Sequence, residues 1–256
     1  MDYYFIIVEG VHDIAAFSRC LELENYTKIL KESELDKFWI KLVPKTFPYN
    51  GDLRRRVPVP TFYRNETNSI AIMGSNGITE MVKTIDMLTN IEHDQLNGIA
   101  IICDADDRST KDVVDTLKTE LEKEIDKEIY EKIDFTALPK SKKEQFKFEI
   151  FVLPDHRNQG TLEKLLLEGA EMNYKGLLAE ADDFLEKVSD KKFSYTKPSF
   201  FKGSKREKVL VGAVANIMNP GMSSQVSIQQ DKWMTKESLK QGMQNHFHRF
   251  LTEFLN

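Results

Sequence analysis

The sequence has little cysteine and no long hydrophobic run. Its only two cysteines, Cys20 and Cys103, lie in apolar patterns, which predicts buried free thiols in a reducing compartment. No segment approaches the roughly 18 apolar residues needed to cross a bilayer, so we expect no membrane partner. A signal peptide is not expected either, because Asp2 interrupts the first apolar run and no small-residue cleavage site follows. These absences favour a cytoplasmic protein.

Basic residues are outnumbered by acidic ones, 36 to 41, which gives a formal net charge of −5. This balance argues against a protein that coats nucleic acid through bulk charge, but an enzyme can hold nucleic acid with a local basic patch. The candidate basic patch spans residues 52–64 and contains Arg64 together with Arg54, Arg55 and Arg56, which are the candidates for binding phosphates. A solvated loop explains the same three residues equally well.

Four short apolar runs indicate the strands of an α/β fold. They occupy residues 3–8, 69–73, 98–103 and 146–153. Near-continuous apolar runs are typical of strands covered on both faces of a parallel sheet. Amphipathic helical patterns follow each run, the first over residues 13–30, and this alternation predicts βαβ crossovers and a mainly parallel sheet.

Two regions interrupt this alternation. Residues 36–68 contain four prolines and a basic loop, and they predict an insertion, with a hairpin as one interpretation. We assign residues 1–188 to an α/β core and residues 189–256 to a helical C-terminal extension packed on it. Within the extension, helices are predicted near 205–218 and 235–255.

Acidic residues recur where the predicted strands end. Glu9 and Asp13 follow the first strand, Asp104 and Asp106 follow the third, and Glu163 lies beyond the fourth. Ligands of parallel α/β sheets bind beyond the carboxyl ends of the strands, so we expect these carboxylates to lie close together. Like charges repel, and a hard cation such as Mg²⁺ or Mn²⁺ would relieve that repulsion.

Each of these residues also has a structural interpretation. Asp13 fits the first turn of a helix, where the helix dipole favours an acid, and Asp106 fits a helix N-cap. Glycines at the same strand ends suit either tight turns or a close approach of backbone to phosphate, namely Gly10, Gly74 and Gly77. The metal interpretation therefore depends on the whole set.

That set, in its order along the chain, resembles the Toprim superfamily, the metal-binding domain shared by topoisomerases, primases, recombination proteins and OLD-type nucleases. The resemblance covers roughly residues 1–170 and is closest to OLD-type nucleases and to small stand-alone Toprim proteins of unassigned function. It is carried by Glu9-Gly10, Asp13, Asp104, Asp106 and the segment Gly160–Glu163. The resemblance implies a Toprim-like, mainly parallel four-stranded core sheet flanked by helices.

The resemblance also implies a Mg²⁺-dependent phosphodiesterase that cuts DNA or RNA by metal-assisted hydrolysis. Glu9, Asp104 and Asp106 would hold one metal ion, and Asp13 and Glu163 would help to hold a second. Glu9 is alternatively the general base that activates water.

A downstream lysine is implied as well, to neutralise the charge on the phosphate during the reaction. Lys205 and Lys208 both suit this role, and their spacing does not decide between them. His156 is a candidate proton donor, although a lone loop histidine is more often a surface residue.

Two other functions stay open at this point. The chain could be a non-catalytic Toprim-like subunit that binds metal or nucleotide and regulates a partner ATPase or another protein. With either function, a homodimer is a candidate assembly. A haloacid dehalogenase-type phosphatase is a lesser alternative, because that family places its D-x-D motif after the first core strand, whereas Asp104 follows the third.

Overall fold

The first apolar run forms the centre of a mainly parallel sheet. The structure is a computed structural model that describes residues 1–45, 59–75, 77–85, 88, 91, 95–124, 146–190, 197 and 202–256. Strand β1 (Asp2–Val8) pairs in parallel with β4 (Asn68–Gly74) on one side and with β5 (Leu96–Asp104) on the other, and β6 (Lys147–Leu153) continues the sheet beyond β5. The four predicted strands are therefore neighbours.

Two further strands make this a six-stranded mixed sheet, where four strands were predicted. Strands β2 (Thr27–Ile29) and β3 (Thr61–Arg64) are antiparallel, and the order across the sheet is β2-β3-β4-β1-β5-β6. The first helix, predicted to reach residue 30, ends at Leu23 because Asn25 takes a left-handed φ of 65° and turns the chain into β2. The hairpin in this region is formed by β3 and β4.

Helices cover the sheet on both faces. They are α1 (Val11–Leu23), α2 (Ile78–Ile85), α3 (Thr110–Glu124), α4 (Leu162–Asn173), α5 (Lys175–Asp190), α6 (Gly203–Met218), α7 (Ser224–Gln230) and α8 (Gly242–Leu255). Short 3₁₀ helices span Glu32–Glu34, Lys37–Leu42 and Ser238–Lys240. No helix among the described ranges is both long enough and apolar enough to traverse a bilayer.

The central strand shows why its sequence is apolar throughout. Tyr4, Ile6 and Val8 point into a buried cluster with α1 and the helices from α4 onward. Phe5 and Ile7 point into a second cluster, which contains side chains of α2 and α3. A strand buried on both faces has no solvent side on which polar residues could alternate.

The C-terminal helices share the first of these clusters with the sheet. The Phe247 ring lies with its centroid 4.6 Å from that of Phe17 in α1, and the Phe254 ring lies 5.2 Å from Tyr4 in β1. The Glu168 carboxylate of α4 accepts hydrogen bonds from the backbone N–H groups of Met243 and Gln244, both at 3.0 Å, and so caps the N-terminus of α8. Helix α4 thereby joins the sheet edge to the C-terminal part.

Candidate metal centre

A pocket of about 310 Å³ opens at the edge of the sheet where β1, β4 and β5 end. It is lined by seven residues that the sequence singled out, namely Glu9, Gly10, Asp13, Gly77, Asp104, Glu163 and Lys208. Parallel strands place their carboxyl ends at one edge, so residues far apart in sequence meet there. Val11, His12 and Leu162 complete the lining.

Asp13 has two roles in the structure. Its Oδ2 accepts a hydrogen bond of 2.8 Å from the backbone N–H of Gly10, the residue before α1, so it does cap the helix as the simple interpretation of the sequence held. The same carboxylate lines the pocket and is only 7% exposed. Burial raises its pKa to about 7, the hydrogen bond from Gly10 opposes this, and repulsion by Glu9 and Glu163 adds to it.

Asp104 ends β5 and faces the start of α4. Its Oδ1 accepts the backbone N–H of Leu162 at 2.9 Å, which satisfies one of the N–H groups left free at a helix N-terminus. The side chain is 7% exposed. Burial raises its pKa to about 9, and the charges of Asp13, Glu9 and Glu163 reinforce the increase. The residue is thus a strongly perturbed carboxyl in a cleft, which is characteristic of functional sites.

Asp106 is placed differently from its prediction as a direct metal ligand. Its backbone N–H donates to the carbonyl of Gly160 at 2.8 Å, and the N–H of Gly160 donates back at 3.0 Å. This bridge holds Asp106 at a left-handed φ of 51° with its side chain exposed, and the residue does not line the pocket. Its charge still contributes to a raised pKa of Glu9.

Glu163 lies in the first turn of α4 and is 6% exposed. Its Oε2 accepts a hydrogen bond of 2.7 Å from the Thr161 hydroxyl, and the Lys208 ammonium lies 3.7 Å from the same oxygen. Between the two candidate lysines the structure brings only Lys208 into the lining, whereas Lys205, one helical turn earlier in α6, is exposed and outside it.

Lys208 and Glu9 carry the opposing charges at the mouth of the pocket. Burial disfavours the charged form of Lys208, but the attraction of Glu163, Asp104 and the other carboxylates outweighs it and raises its pKa. Burial also raises the pKa of Glu9, and so does repulsion by Asp106, while the cations of Lys208 and Arg108 act in the opposite direction. Lys208 therefore stays charged beside a group of carboxylates that repel one another.

The predicted glycines divide into those at the pocket and those behind it. Gly77 takes a φ of 100°, which favours glycine, and it lines the pocket just before α2. Gly74 ends β4 behind the pocket, where an added Cβ would lie 3.1 Å from the Cδ1 of Ile14. Gly10 has room for a Cβ, whose closest contact would be Asp13 Oδ2 at 3.7 Å. Arg54–Arg56 of the predicted basic patch lie outside the described residues, and Arg64 donates to the carbonyl of Glu34 at 3.1 Å and does not line the pocket.

His12 was not predicted as a site residue, whereas His156 was predicted as a candidate proton donor. His12 occupies the first turn of α1 between Glu9 and Asp13 and lines the pocket, a position that its place in the E-x-x-x-D segment could have indicated. His156 is exposed and does not line the pocket, and its Nδ1 accepts the N–H of Val152 at 3.0 Å.

The four carboxylates that line the pocket do not form a complete coordination shell for a metal ion. Within the described part of the chain, no group of three or more His, Cys, Asp or Glu side chains is positioned to hold a metal ion directly. Mg²⁺ does not require such a group, because it usually keeps several waters and is bound through one or two carboxylates together with substrate phosphates. An all-oxygen, mutually repelling and partly buried set suits that type of binding.

Comparison with known proteins gives a family and a related fold. A family model described as "Protein of unknown function (DUF3226)" matches residues 3–252. The crystal structure of hypothetical protein PH0156 from Pyrococcus horikoshii OT3 is similar over 99% of this chain and 95% of that chain, with a TM-score of 0.56 and 16% sequence identity. At this identity the similarity concerns the fold alone. No curated protein matches the sequence.

Proposed function

This chain belongs to the DUF3226 family, whose function is unknown, and we propose that it is a Mg²⁺-dependent phosphodiesterase that hydrolyses DNA or RNA. The observation that carries the proposal is the convergence of four acidic side chains and one lysine on a single pocket at the sheet edge, namely Glu9, Asp13, Asp104, Glu163 and Lys208. We also propose kinship with the Toprim superfamily, because these carboxylates follow one another along the chain in the order that the resemblance requires.

The chemistry of the donor set fits Mg²⁺ or Mn²⁺. Asp104 and Asp13 are both buried with raised pKa values, and the charge of Asp13 adds to the rise at Asp104, so a cation between them would stabilise their ionised forms. Glu9, which is half-exposed at the mouth of the pocket, and Glu163 supply further oxygens. When bound, such a metal ion polarises phosphate oxygens and lowers the pKa of a coordinated water.

The protein's own residues have distinct tasks in this mechanism. Glu9 is the carboxylate with the most access to solvent among the four, so it is suited to accept a proton from the attacking water. Lys208 brings a permanent cation to the edge of the pocket and stabilises the negative charge that builds on the phosphate. Asp104, fixed by the N–H of Leu162, holds the geometry of the metal-binding oxygens.

The alternative is a regulatory subunit that binds metal or nucleotide without catalysis. It is favoured by the internal partners that three carboxylates already have. Asp13 accepts the N–H of Gly10, Asp104 accepts the N–H of Leu162, and Glu163 accepts the Thr161 hydroxyl. Because these hydrogen bonds stabilise the fold, they account for the presence of three carboxylates in the pocket without a catalytic role.

Cleavage assays distinguish the two functions. Purified protein is incubated with supercoiled plasmid, single-stranded DNA, RNA and a phosphate monoester, in Mg²⁺, Mn²⁺ or EDTA. We expect a nucleic acid to be cut only with metal, and we expect Glu9→Gln and Asp104→Asn to lower the rate at least 100-fold, as loss of a catalytic group typically does. Lys208→Ala should be similarly impaired, whereas Lys205→Ala serves as the matched control.

The outcomes have clear meanings. Undiminished cleavage by Glu9→Gln and Asp104→Asn would refute the assignment of the site. Measurable Mg²⁺ binding without cleavage of any substrate would support the regulatory function, and hydrolysis of the monoester alone would support a phosphatase.

A further inference from the structure

We infer that Arg108 is a second phosphate-binding cation of this site, and that together with Lys208 it holds the backbone of a nucleic-acid strand across the acidic pocket. This inference rests on the proposed function and extends it, because it names the group that the substrate must present and a residue that binds it. Arg108 belongs to none of the motifs that the sequence presents.

The position of Arg108 is fixed by the turn that follows β5. Its backbone N–H donates to the carbonyl of Ala105 at 3.0 Å, and the N–H of Ala105 donates to the carbonyl of Leu153 at 3.1 Å. This turn begins at Asp104 in the pocket and runs beside the end of β1, because Val8 is paired with Ile102 in parallel register. Arg108 therefore lies next to the segment that carries Glu9.

The Arg108 side chain is half-buried and lies outside the lining of the pocket, but close enough for its charge to act on Glu9. Burial raises the pKa of Glu9 at the end of β1 and that of the Cys103 thiol near the end of β5, and the Arg108 charge partly opposes both increases. Lys208, from the separate helix α6, acts on Glu9 in the same direction. Two cations from different elements thus border the carboxylate that we assign to water activation.

Arg108 also differs from most other arginines in its lack of a partner. In the ranges that the structure describes, its guanidinium makes no hydrogen bond and no ion pair within 4.0 Å. Four other arginines there have a carbonyl or carboxylate partner: Arg19 with Met234, Arg64 with Glu34, Arg206 with Asp182 and Arg249 with Glu253. A half-buried guanidinium without a partner is suited to accept an anion from outside the chain.

The pocket has four carboxylates and one lysine in its lining, so a second cation is needed to attract a phosphodiester. A phosphodiester that approaches Glu9, Asp13, Asp104 and Glu163 meets like charge, and Lys208 is already 3.7 Å from one of these carboxylates. A guanidinium presents a planar fork that bonds two phosphate oxygens at once and stays charged at any working pH. Arg108 can therefore bind a phosphate beside the pocket with or without a metal ion.

Binding of a fluorescein-labelled single-stranded 20-mer, measured by anisotropy in EDTA and in Ca²⁺ between 50 and 200 mM KCl, tests the inference. We expect Arg108→Ala and Arg108→Gln to weaken binding about 10-fold at low salt and to reduce the slope of log K against log salt by about 0.7, the value for one lost phosphate contact. In Mg²⁺ the same variants should raise KM about 10-fold with little change in kcat, as loss of uniform binding does. Arg249→Ala, which removes an exposed arginine paired on α8, should match the wild type.

The results separate the inference from the function on which it rests. If the wild type binds or cuts the oligonucleotide and both Arg108 variants keep its affinity and salt slope, the inference is wrong and the function stands. If the wild type neither binds nor cuts any nucleic acid, the proposed function is wrong and the inference with it. Should Arg108→Ala fail to fold, Arg108→Gln, which keeps most of the side-chain length, decides the question.

Discussion

Asp104 should destabilise the metal-free protein at neutral pH, and removing its charge should stabilise the fold. The carboxyl has a pKa raised from 3.8 to about 9, first by burial and then by Asp13, Glu9 and Glu163. Between those two pKa values Asp104 holds a proton in the folded protein that it has lost in the unfolded chain. The free energy of unfolding is therefore highest at low pH and decreases as the pH rises through this range. Each pH unit in this window corresponds to about 1.4 kcal/mol.

The variant Asp104→Asn isolates this effect. The amide cannot ionise, and its Oδ1 can still accept the N–H of Leu162, so the helix start is preserved. Relative to the wild type, the free energy of unfolding of the variant should rise by about 3 kcal/mol between pH 5 and pH 7. The variant is thus expected to be more stable than the wild type and inactive.

Urea unfolding in EDTA at pH 5, 6, 7 and 8, followed by circular dichroism, measures this difference. Asp107→Asn is the matched control, because Asp107 lies in the same turn but is exposed, and it should show no comparable trend. A difference between Asp104→Asn and the wild type that stays constant or shrinks as the pH rises would refute the reasoning.

Two further predictions follow from the site and from the C-terminal part. Mg²⁺ affinity, measured by calorimetry between pH 6 and pH 8, should rise up to about 10-fold per pH unit, because the metal must displace the proton on Asp104, and an affinity independent of pH would contradict this. Gly242→Ala should lower the free energy of unfolding by about 1–3 kcal/mol, since Gly242 has a φ of 53° and an added Cβ would lie 2.0 Å from a Glu168 oxygen. Its control is Gly212→Ala, where a Cβ meets nothing within 4 Å, and equal losses in both variants would contradict the prediction.

The sequence predicted the parallel strands well because a strand that is buried on both faces consists of a near-continuous run of apolar residues. The run at 98–103 became β5, Leu96–Asp104, whose side chains are buried almost throughout. Strand β2 has no such apolar run. It has three residues, is only partly buried, and exists because Thr27–Ile29 pairs with β3, a contact between distant parts of the chain. Local periodicity therefore extended the first helix through residues that form a strand.

The site was predictable to the extent that strand ends determine it. Glu9 and Asp104 meet because β1 and β5 are parallel neighbours. The alternation of strands and helices predicted the parallel direction but not which strands lie side by side. The exposure of Asp106 depends on its backbone bridge to Gly160, which no local pattern reveals. The choice of Lys208 over Lys205 depends on how α6 docks against α4, because residues three apart lie on nearly the same face of a helix.

The docking of the last helices against β1 has a consequence for the order in which the protein is made. All four pocket carboxylates precede Lys208 along the chain, and Phe254, which covers the central strand, follows it. Until α6 is synthesised the pocket lacks its lysine, and until α8 follows, one face of the sheet lacks part of its apolar cover. Lys208 is therefore the last charged residue of the pocket to be made, and a chain that stops before α6 contains all four pocket carboxylates without this lysine.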